Sequence, residues 1–323
     1  MRLNYYPVRL TNDRLVFLVN IATGWGEIAP LDMHTTTQKM IYEELEYWQQ
    51  ALEPIVDISV VEVKNFSCSM TCGNYVKCGV EQALLHHLAN QQDRTLGELL
   101  SYPNQPIIDV DINGLIPRVK PAEAEEMTKK LIDCSFTTIK IKVGSPDISE
   151  DIDRVKVVRQ IAGQNIKIHL DANGAWTVKE AINNLHSLSK LDISYIEQPV
   201  KAITELAMVK PSSPIPIAID EAVTCSEELT QAIEYNCCDM VVIKPMLWGG
   251  LLSAQQGIEL AQQSNLPVVL TGTLEGIIAR WGVYELARAC HIDRACGLTG
   301  YDYVEFNVQD KINPLPAKLW QQK

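Results

Sequence analysis

Chemistry is written most plainly in the run Thr137-Thr138-Ile139-Lys140-Ile141-Lys142-Val143-Gly144. Its β-branched composition predicts a strand that ends at the glycine. Side chains at i and i+2 of a strand share a face, so Lys140 and Lys142 bring two ammonium groups to one place. Like charge and partial burial should lower their pKa values, and a lysine so tuned can accept a proton near neutral pH. The same run also fits a solvated edge strand with two surface lysines, and the rest of the chain has to decide between the two.

Charged residues recur directly after apolar runs further along. The ends read His169-Leu170-Asp171-Ala172-Asn173, Tyr195-Ile196-Glu197-Gln198-Pro199, Ala218-Ile219-Asp220-Glu221 and Val242-Ile243-Lys244-Pro245. Any one acid would also fit a helix N-cap. Three on consecutive strands, which lie about 5 Å apart, can converge on one point. Carboxylates gathered in this way repel unless a cation joins them, and hard oxygen ligands suit Mg²⁺, with Mn²⁺ as a substitute. Asp171, Glu197 and Asp220 are therefore the expected metal ligands. Lys142 and Lys244 flank them, on the strands before and after. In this arrangement Lys142 would remove a proton α to a substrate carboxylate, Lys140 would keep its pKa low, and the metal would stabilise the resulting enolate.

These residues need a scaffold that presents strand ends together. After Pro103, strand-like runs at 107–115, 138–143, 166–170, 195–196, 215–219, 240–243 and 267–270 alternate with helical runs at 122–132, 149–161, 178–188, 203–209, 227–235, 252–263 and 277–290. Parallel strands joined by helical crossovers at a period of roughly 25 residues predict a (β/α) barrel, whose working residues sit at the C-terminal strand ends. The segment 297–300 supplies an eighth strand position. No G-x-G-x-x-G follows the first strand, which weakens a dinucleotide-binding reading. Before Pro103 the chain reads as three strands within residues 1–30, a helix capped at 35–37 and running through Trp48, and a second helix over 80–88. That is an α+β arrangement. The expected division is 1–100 as one unit, 101–300 as the barrel, and 301–323 packing back on the first.

Composition narrows the function classes. A net charge of −12 over 323 residues argues against a nucleic-acid-binding surface. No apolar run approaches a membrane span, and the N-terminal residues lack a signal-peptide core, so the expected location is the cytoplasm. Cys68, Cys72 and Cys78 form a cluster among nine cysteines without zinc-like spacing, and all read as free thiols. Trp248-Gly249-Gly250 reads as a loop and helix start, with a phosphate cradle as the alternative.

The joint set K-x-K, D-x-N, E-Q-P, D-E and K-P at successive strand ends resembles the enolase superfamily, in its muconate-lactonizing-enzyme-like subgroup. The resemblance implies a modified TIM barrel, (β/α)7β, with an N-terminal α+β capping domain, a bound Mg²⁺ and a small-molecule carboxylate substrate. Either a monomer or a homo-oligomer is compatible with it. Within the subgroup, Gly24-Trp25-Gly26-Glu27-Ile28-Ala29-Pro30-Leu31, Asp171-Ala172-Asn173-Gly174-Ala175-Trp176 and Val242-Ile243-Lys244-Pro245 resemble the o-succinylbenzoate synthases. By that resemblance the reaction is syn dehydration of 2-succinyl-6-hydroxy-2,4-cyclohexadiene-1-carboxylate, with Lys142 as base and then acid and Lys244 stabilising the dienolate. Asn173 and Glu221 would support the metal and substrate, and Glu221 would not be a ligand. Thr271, Gly272 and Thr273 would offer donors to the succinyl carboxylate, and Gly297 would let substrate approach the backbone. His169 is expected to pack rather than react. The same lysine pair serves N-acylamino acid racemases, dipeptide epimerases and cycloisomerases. A dipeptide epimerase would need an acidic pair near the seventh or eighth strand, which Thr271-Gly272-Thr273 and Gly297-Leu298-Thr299-Gly300 do not supply.

Overall fold

The computed structural model describes residues 1–31, 36–103 and 105–304. The loop Asp32-Met33-His34-Thr35 and most of the tail expected to pack on the cap lie outside them. Strands β1 (Leu3–Arg9), β2 (Leu15–Ile21) and β3 (Gly24–Ile28) form an antiparallel meander in chain order. Helix α1 (Gln38–Leu52) begins where the Thr37 hydroxyl accepts from Met40 N at 3.3 Å. Helix α2 (Val60–Ser69) was not expected from periodicity; it opens on a capping box between Ser59 and Glu62. Helix α3 (Asn74–Gln91) outruns the expected 80–88 because it is buried nearly all round. A buried helix carries apolar residues on every side, so an amphipathic pattern marks only part of it. Strand β3 lies directly on α3. A Cβ on Gly26 would stand 1.9 Å from the Gly79 carbonyl oxygen, so only glycine permits this contact between the two backbones.

The barrel follows: α4 (Leu96–Leu100), β4 (Gly114–Ile116), α5 (Pro121–Asp133), β5 (Thr138–Lys142), α6 (Ile148–Ala162), β6 (Lys167–Asp171), α7 (Val178–Leu188), β7 (Ile196–Glu197), α8 (Ile203–Val209), β8 (Ile217–Ile219), α9 (Ser226–Glu234), β9 (Met240–Ile243), α10 (Pro245–Trp248), α11 (Leu251–Gln263), β10 (Val268–Leu270) and α12 (Ile277–Ala289). Strands β4 to β10 pair in parallel, each with its neighbour in sequence. Cys296 and Gly297 close the ring as a minimal eighth strand. Asn113 N donates to Cys296 O at 3.0 Å on one side, and Gly297 N to Leu270 O at 2.9 Å on the other. The arrangement is the expected (β/α)7β barrel with an N-terminal α+β cap. The first barrel strand is shorter and later than the expected 107–115. Asp109 and Asp111 face solvent, and Ile108 N reaches Arg288 O at the end of α12 rather than a strand. Inside the barrel, Tyr195, Ala218, Met240, Val242 and Val269 form a closed apolar plug below the strand ends. Among the described residues no helix is long and apolar enough to cross a membrane.

Two buried glutamates dock the cap onto the barrel. Glu27 on β3 accepts from Gly276 N at 2.7 Å and Ala279 N at 3.1 Å, at the start of α12, and from the Tyr303 hydroxyl. Glu81 on α3 accepts from Leu252 N at 2.9 Å, at the start of α11. Each carboxylate meets the free amides and positive dipole end of a helix. Burial pushes both pKa values up, that of Glu81 to about 7. Glu81 also settles the alternative reading of Trp248-Gly249-Gly250. A Cβ on Gly250 would lie 2.3 Å from Glu81 Oε1, so the cap's own carboxylate fills the place a phosphate would take.

Replacing Glu27 by leucine leaves two buried amides and a phenol without an acceptor. At about 1–3 kcal/mol for a buried donor left unsatisfied, Glu27→Leu should lower the unfolding free energy by about 2–4 kcal/mol, read from urea denaturation. Tyr303→Phe leaves the Gly276 and Ala279 amides served by Glu27 and takes an acceptor only from Ile278 N, so it should cost less.

Candidate active site

Strand register builds the site. Lys140 pairs with His169 and Lys142 with Asp171 between β5 and β6, and Asp171 pairs with Glu197 between β6 and β7. Asp220 follows β8 directly and Lys244 follows β9. Asp171, Glu197 and Asp220 are 1 %, 1 % and 2 % exposed, and each brings a carboxylate oxygen within 4.8 Å of the others. Lys140 and Lys142 converge on one atom: their Nζ atoms lie 2.9 and 2.7 Å from Asp171 Oδ2. Lys140 also hydrogen-bonds Glu197 Oε2. At the other end of the acid row, Lys244 Nζ lies 2.6 Å from Asp220 Oδ2 and 3.4 Å from Glu221 Oε1.

This geometry corrects the expected effect of one lysine on the other. Burial alone would lower the Lys140 pKa, but Asp171, Glu197 and Asp220 outweigh it and hold the group well above its ordinary value. The carboxylate between the two ammonium groups, absent from a strand-only view, reverses the sign. Lys244 is likewise raised, because Asp220 and Glu221 overcome its burial. The acids divide. Burial works against ionisation of Asp171, yet Lys140, Lys142 and Lys244 hold its pKa well below the usual carboxylate range. Burial and the neighbouring carboxylates push Glu197 up to about 8 and Asp220 to about 6. Three buried carboxylate donors, two of them reluctant to ionise unaided, fit a hard divalent cation.

The surroundings hold these groups in place. Asn173, at φ 45°, accepts from Lys142 Nζ at 2.8 Å and donates to Glu221 Oε1 at 2.7 Å. Glu221 stands outside the carboxylate trio, as strand alternation predicts. Gln198, whose role was not read from the sequence, ties two strand ends together. Its Oε1 accepts from Asp220 N at 2.8 Å, while its Nε2 donates to Val200 O at 2.8 Å. The only sequence signal was an amide next to a strand-end acid. Asp151 Oδ2 accepts from Gly144 N at 2.7 Å and fixes the loop after β5. His169 is buried and stacked on Tyr195 with centroids 4.5 Å apart. Burial and Lys140 lower its pKa to about 3, so it packs below the site as a neutral ring.

A cavity of about 520 Å³ opens over these groups, lined by Lys140, Lys142, Asp171, Asn173, Glu221 and Lys244, and by Thr271, Gly272, Thr273 and Gly297 on the far wall. Glu197 and Asp220 lie beneath its lining. The donors expected from the far wall are engaged within the protein. Thr271 N donates to Ile243 O and Gly272 N to Gly297 O. Thr271 Oγ1 donates to Gly272 O, and both the amide and the hydroxyl of Thr273 donate to Glu275 Oε2. The seam takes up Gly272 N, the β9 pairing takes up Thr271 N, and Glu275 takes up both donors of Thr273. A Cβ on Gly297 would stand 2.8 Å from Thr271 Oγ1, so this glycine serves close packing at the seam as well as the cavity wall. Cys68, Cys72 and Cys78 are free thiols far from this chemistry in the fold, with Cys72 Sγ accepting from Trp48 Nε1 at 3.2 Å.

The raised carboxylates predict a linked proton release. Burial and the neighbouring carboxylates favour the protonated forms of Glu197 and Asp220, and a divalent cation needs them ionised. The affinity for Mg²⁺ should therefore rise as pH climbs through about 6 to about 8 and level off above. Calorimetry in buffers of different ionisation enthalpy reads the protons released, and Glu197→Gln should abolish most of that signal.

The profile of the family described as enolase C-terminal domain-like matches residues 122–313. An o-succinylbenzoate synthase of Thermobifida fusca is 32 % identical over 209 residues, 64 % of this chain and 64 % of that protein's length. An L-Ala-D/L-Glu epimerase of Clostridium acetobutylicum is 31 % identical over 256 residues, covering 76 % of this chain and 68 % of the relative. Among solved structures, a dipeptide epimerase of Enterococcus faecalis superposes with a TM-score of 0.79 at 25 % identity over 92 % of this chain and 88 % of that one. This chain belongs to the enolase superfamily, in its muconate-lactonizing-enzyme-like subgroup.

Proposed function

We propose that the chain is an o-succinylbenzoate synthase, a hydro-lyase acting on 2-succinyl-6-hydroxy-2,4-cyclohexadiene-1-carboxylate in a route to menaquinone or phylloquinone. The observation that carries the reading is the cavity wall. Lys142 and Lys244 face it from opposite ends of the acid row, and Leu31, Leu115, Leu247 and Leu274 give it an apolar lining suited to a carbon ring. Among the described residues, no acid of the β10 end or the Cys296–Gly297 seam lines it to receive a dipeptide ammonium. Glu275, the nearest in sequence, is buried and engaged by Thr273.

In this reading Lys142 acts as the base and takes the proton α to the ring carboxylate. The electron pair left behind drives out the hydroxyl on the same face. Lys142 returns its proton to the departing hydroxide, which leaves as water, and the ring becomes aromatic. Asn173 holds the Lys142 amine by its carbonyl oxygen, and Lys244 meets the negative charge spread over the ring from the other side. Mg²⁺ held by Asp171, Glu197 and Asp220 would offset the charge that grows on the substrate carboxylate.

A second reading has support in the same pair of lysines. Amines on both sides of an α-carbon suit racemisation of an N-acylamino acid or epimerisation of a dipeptide, and relatives with such names share about as much sequence as the synthases do.

The deciding assay is dehydration of the cyclohexadiene by metal-loaded protein, with and without chelator. Turnover should vanish with chelator. Lys142→Ala should lose about 10³-fold or more in kcat, the scale of a missing acid–base group, with unchanged circular dichroism. Metal-loaded protein that leaves the cyclohexadiene intact would refute the synthase. Deuterium entering N-acyl amino acids from D₂O faster than dehydration would establish the second reading instead.

A further inference from the structure

The charges around the cavity do not cancel. With all four ionised, as a bound cation requires, Asp171, Glu197, Asp220 and Glu221 bring four negative charges, and Lys140, Lys142 and Lys244 bring three positive ones, all joined in ion pairs. A divalent cation on the acid trio turns the balance to one positive charge, which a single substrate carboxylate neutralises. Two further cations line the cavity, Arg118 and Lys201, and among the described residues neither is engaged in an ion pair. They stand on either side of the loop after β6. Arg118 Nη1 donates to Gly144 O at 3.1 Å, and Gly144 packs on that loop, where a Cβ on it would meet Ala175 Cβ at 2.6 Å. From the other side, a Cβ on Gly174 would lie 3.0 Å from Lys201 Cγ. Between them the loop carries Asn173, which holds Lys142.

We propose that Arg118 and Lys201 form a binding site for a second carboxylate, so that the substrate is a dianion whose far carboxylate lies over the β4–β7 side of the cavity mouth. This rests on the reading of the cavity as the substrate site, and it gives the succinyl carboxylate a place other than Thr271-Gly272-Thr273, whose donors are engaged. Arg118 has a guanidinium already oriented by one backbone carbonyl and donors left for a carboxylate. Lys201 adds a second positive charge without an acid to pair with it. The four leucines line the same cavity, which suits an apolar body carrying carboxylates. A zwitterionic dipeptide would bring its ammonium toward like charge.

The test compares two probes that differ only at the far end. o-Succinylbenzoate carries the second carboxylate, and 2-butanoylbenzoate has a methyl group in its place. Calorimetry with Mg²⁺-loaded protein at low salt should show the dianion binding the wild type more tightly. The double variant Arg118→Met with Lys201→Met should lose about tenfold for o-succinylbenzoate, on the scale of charge-assisted hydrogen bonds at an exposed rim, and should bind 2-butanoylbenzoate unchanged. Arg118→Lys should recover part of the loss. Equal affinities of the wild type for the two probes, or an equal loss for both in the double variant, would overturn the proposal. Because binding is read without turnover, the outcomes separate: discrimination that depends on these residues, in a protein inert toward the cyclohexadiene, would refute the synthase and keep the dianion site. Turnover of the cyclohexadiene with discrimination intact in the double variant would keep the synthase and remove this site.

Discussion

Three carboxylates held within 4.8 Å of one another in a site nearly closed to water are the constraint around which the molecule is arranged. Left to themselves they would protonate or separate. Lys140 answers at the floor of the site, touching both Asp171 and Glu197, and Lys244 answers at the other end. Asp171, with ammonium groups on one oxygen, remains the ionised member, and the burden of the repulsion falls on Glu197 and Asp220. On the reading of the trio as a metal site, a divalent cation would take the place of protons on those two acids. Lys140 is buried as the counter-ion of Asp171 and Glu197, and Lys142, two residues nearer the mouth, is partly exposed.

Positioning such a row requires strands that cannot slip. The register between β5, β6 and β7 places Lys142, Asp171 and Glu197 side by side, and a shift of one residue would turn all of them toward the helices. Gln198 and Asp151 pin the strand ends where pairing runs out. The cap has to stay seated for the mouth to keep its shape, and it is seated by electrostatics of a second kind. Glu27 and Glu81 reach from the cap into the N-termini of α12 and α11, so two barrel helices are capped by residues from outside the barrel. Both glutamates sit behind the glycine contacts that press β3 against α3, which links the short glycine-rich motif near the N-terminus to the far side of the barrel.

The catalytic half of this arrangement was open to sequence reasoning because a parallel barrel puts chemistry at one recurring place, the residue after each apolar run. Asp171, Glu197, Asp220 and Lys244 could be found from that rule alone, and most barrel elements from their alternation. What escaped depended on partners distant in sequence. The Lys140 pKa has the opposite sign from its expected shift because Asp171 and Glu197, both distant along the chain, enter its environment. The helix starting after Gly249-Gly250 is a poor phosphate site because Glu81 of the cap fills it. Thr271-Gly272-Thr273 has suitable donors by type, yet strand pairing, the barrel seam and Glu275 engage them. The run 107–113 has strand-like composition, yet only its last residues pair, with Cys296. Local composition reports propensity; which groups remain free is settled by closure of the fold.

The same distinction bears on why relatives at about 30 % identity carry the names of different reactions. A metal site flanked by two amines lowers the barrier to removing a proton next to a carboxylate, whatever else the molecule contains. Nothing in the acid row distinguishes loss of hydroxide from return of the proton on the opposite face. The distinction has to come from the cavity wall, which decides which carbon lies over Lys142 and whether a leaving group shares its face. In this chain that wall is leucine-lined, has its seam donors engaged, and carries on one side two cations that form no ion pair among the described residues. Such a wall orients a body with charge at both ends more strictly than a neutral or zwitterionic one, because turning the molecule over would carry its second anion away from the cations. Orientation imposed at the rim is thus able to select among reactions that the centre, by its symmetry of lysines, leaves equally accessible.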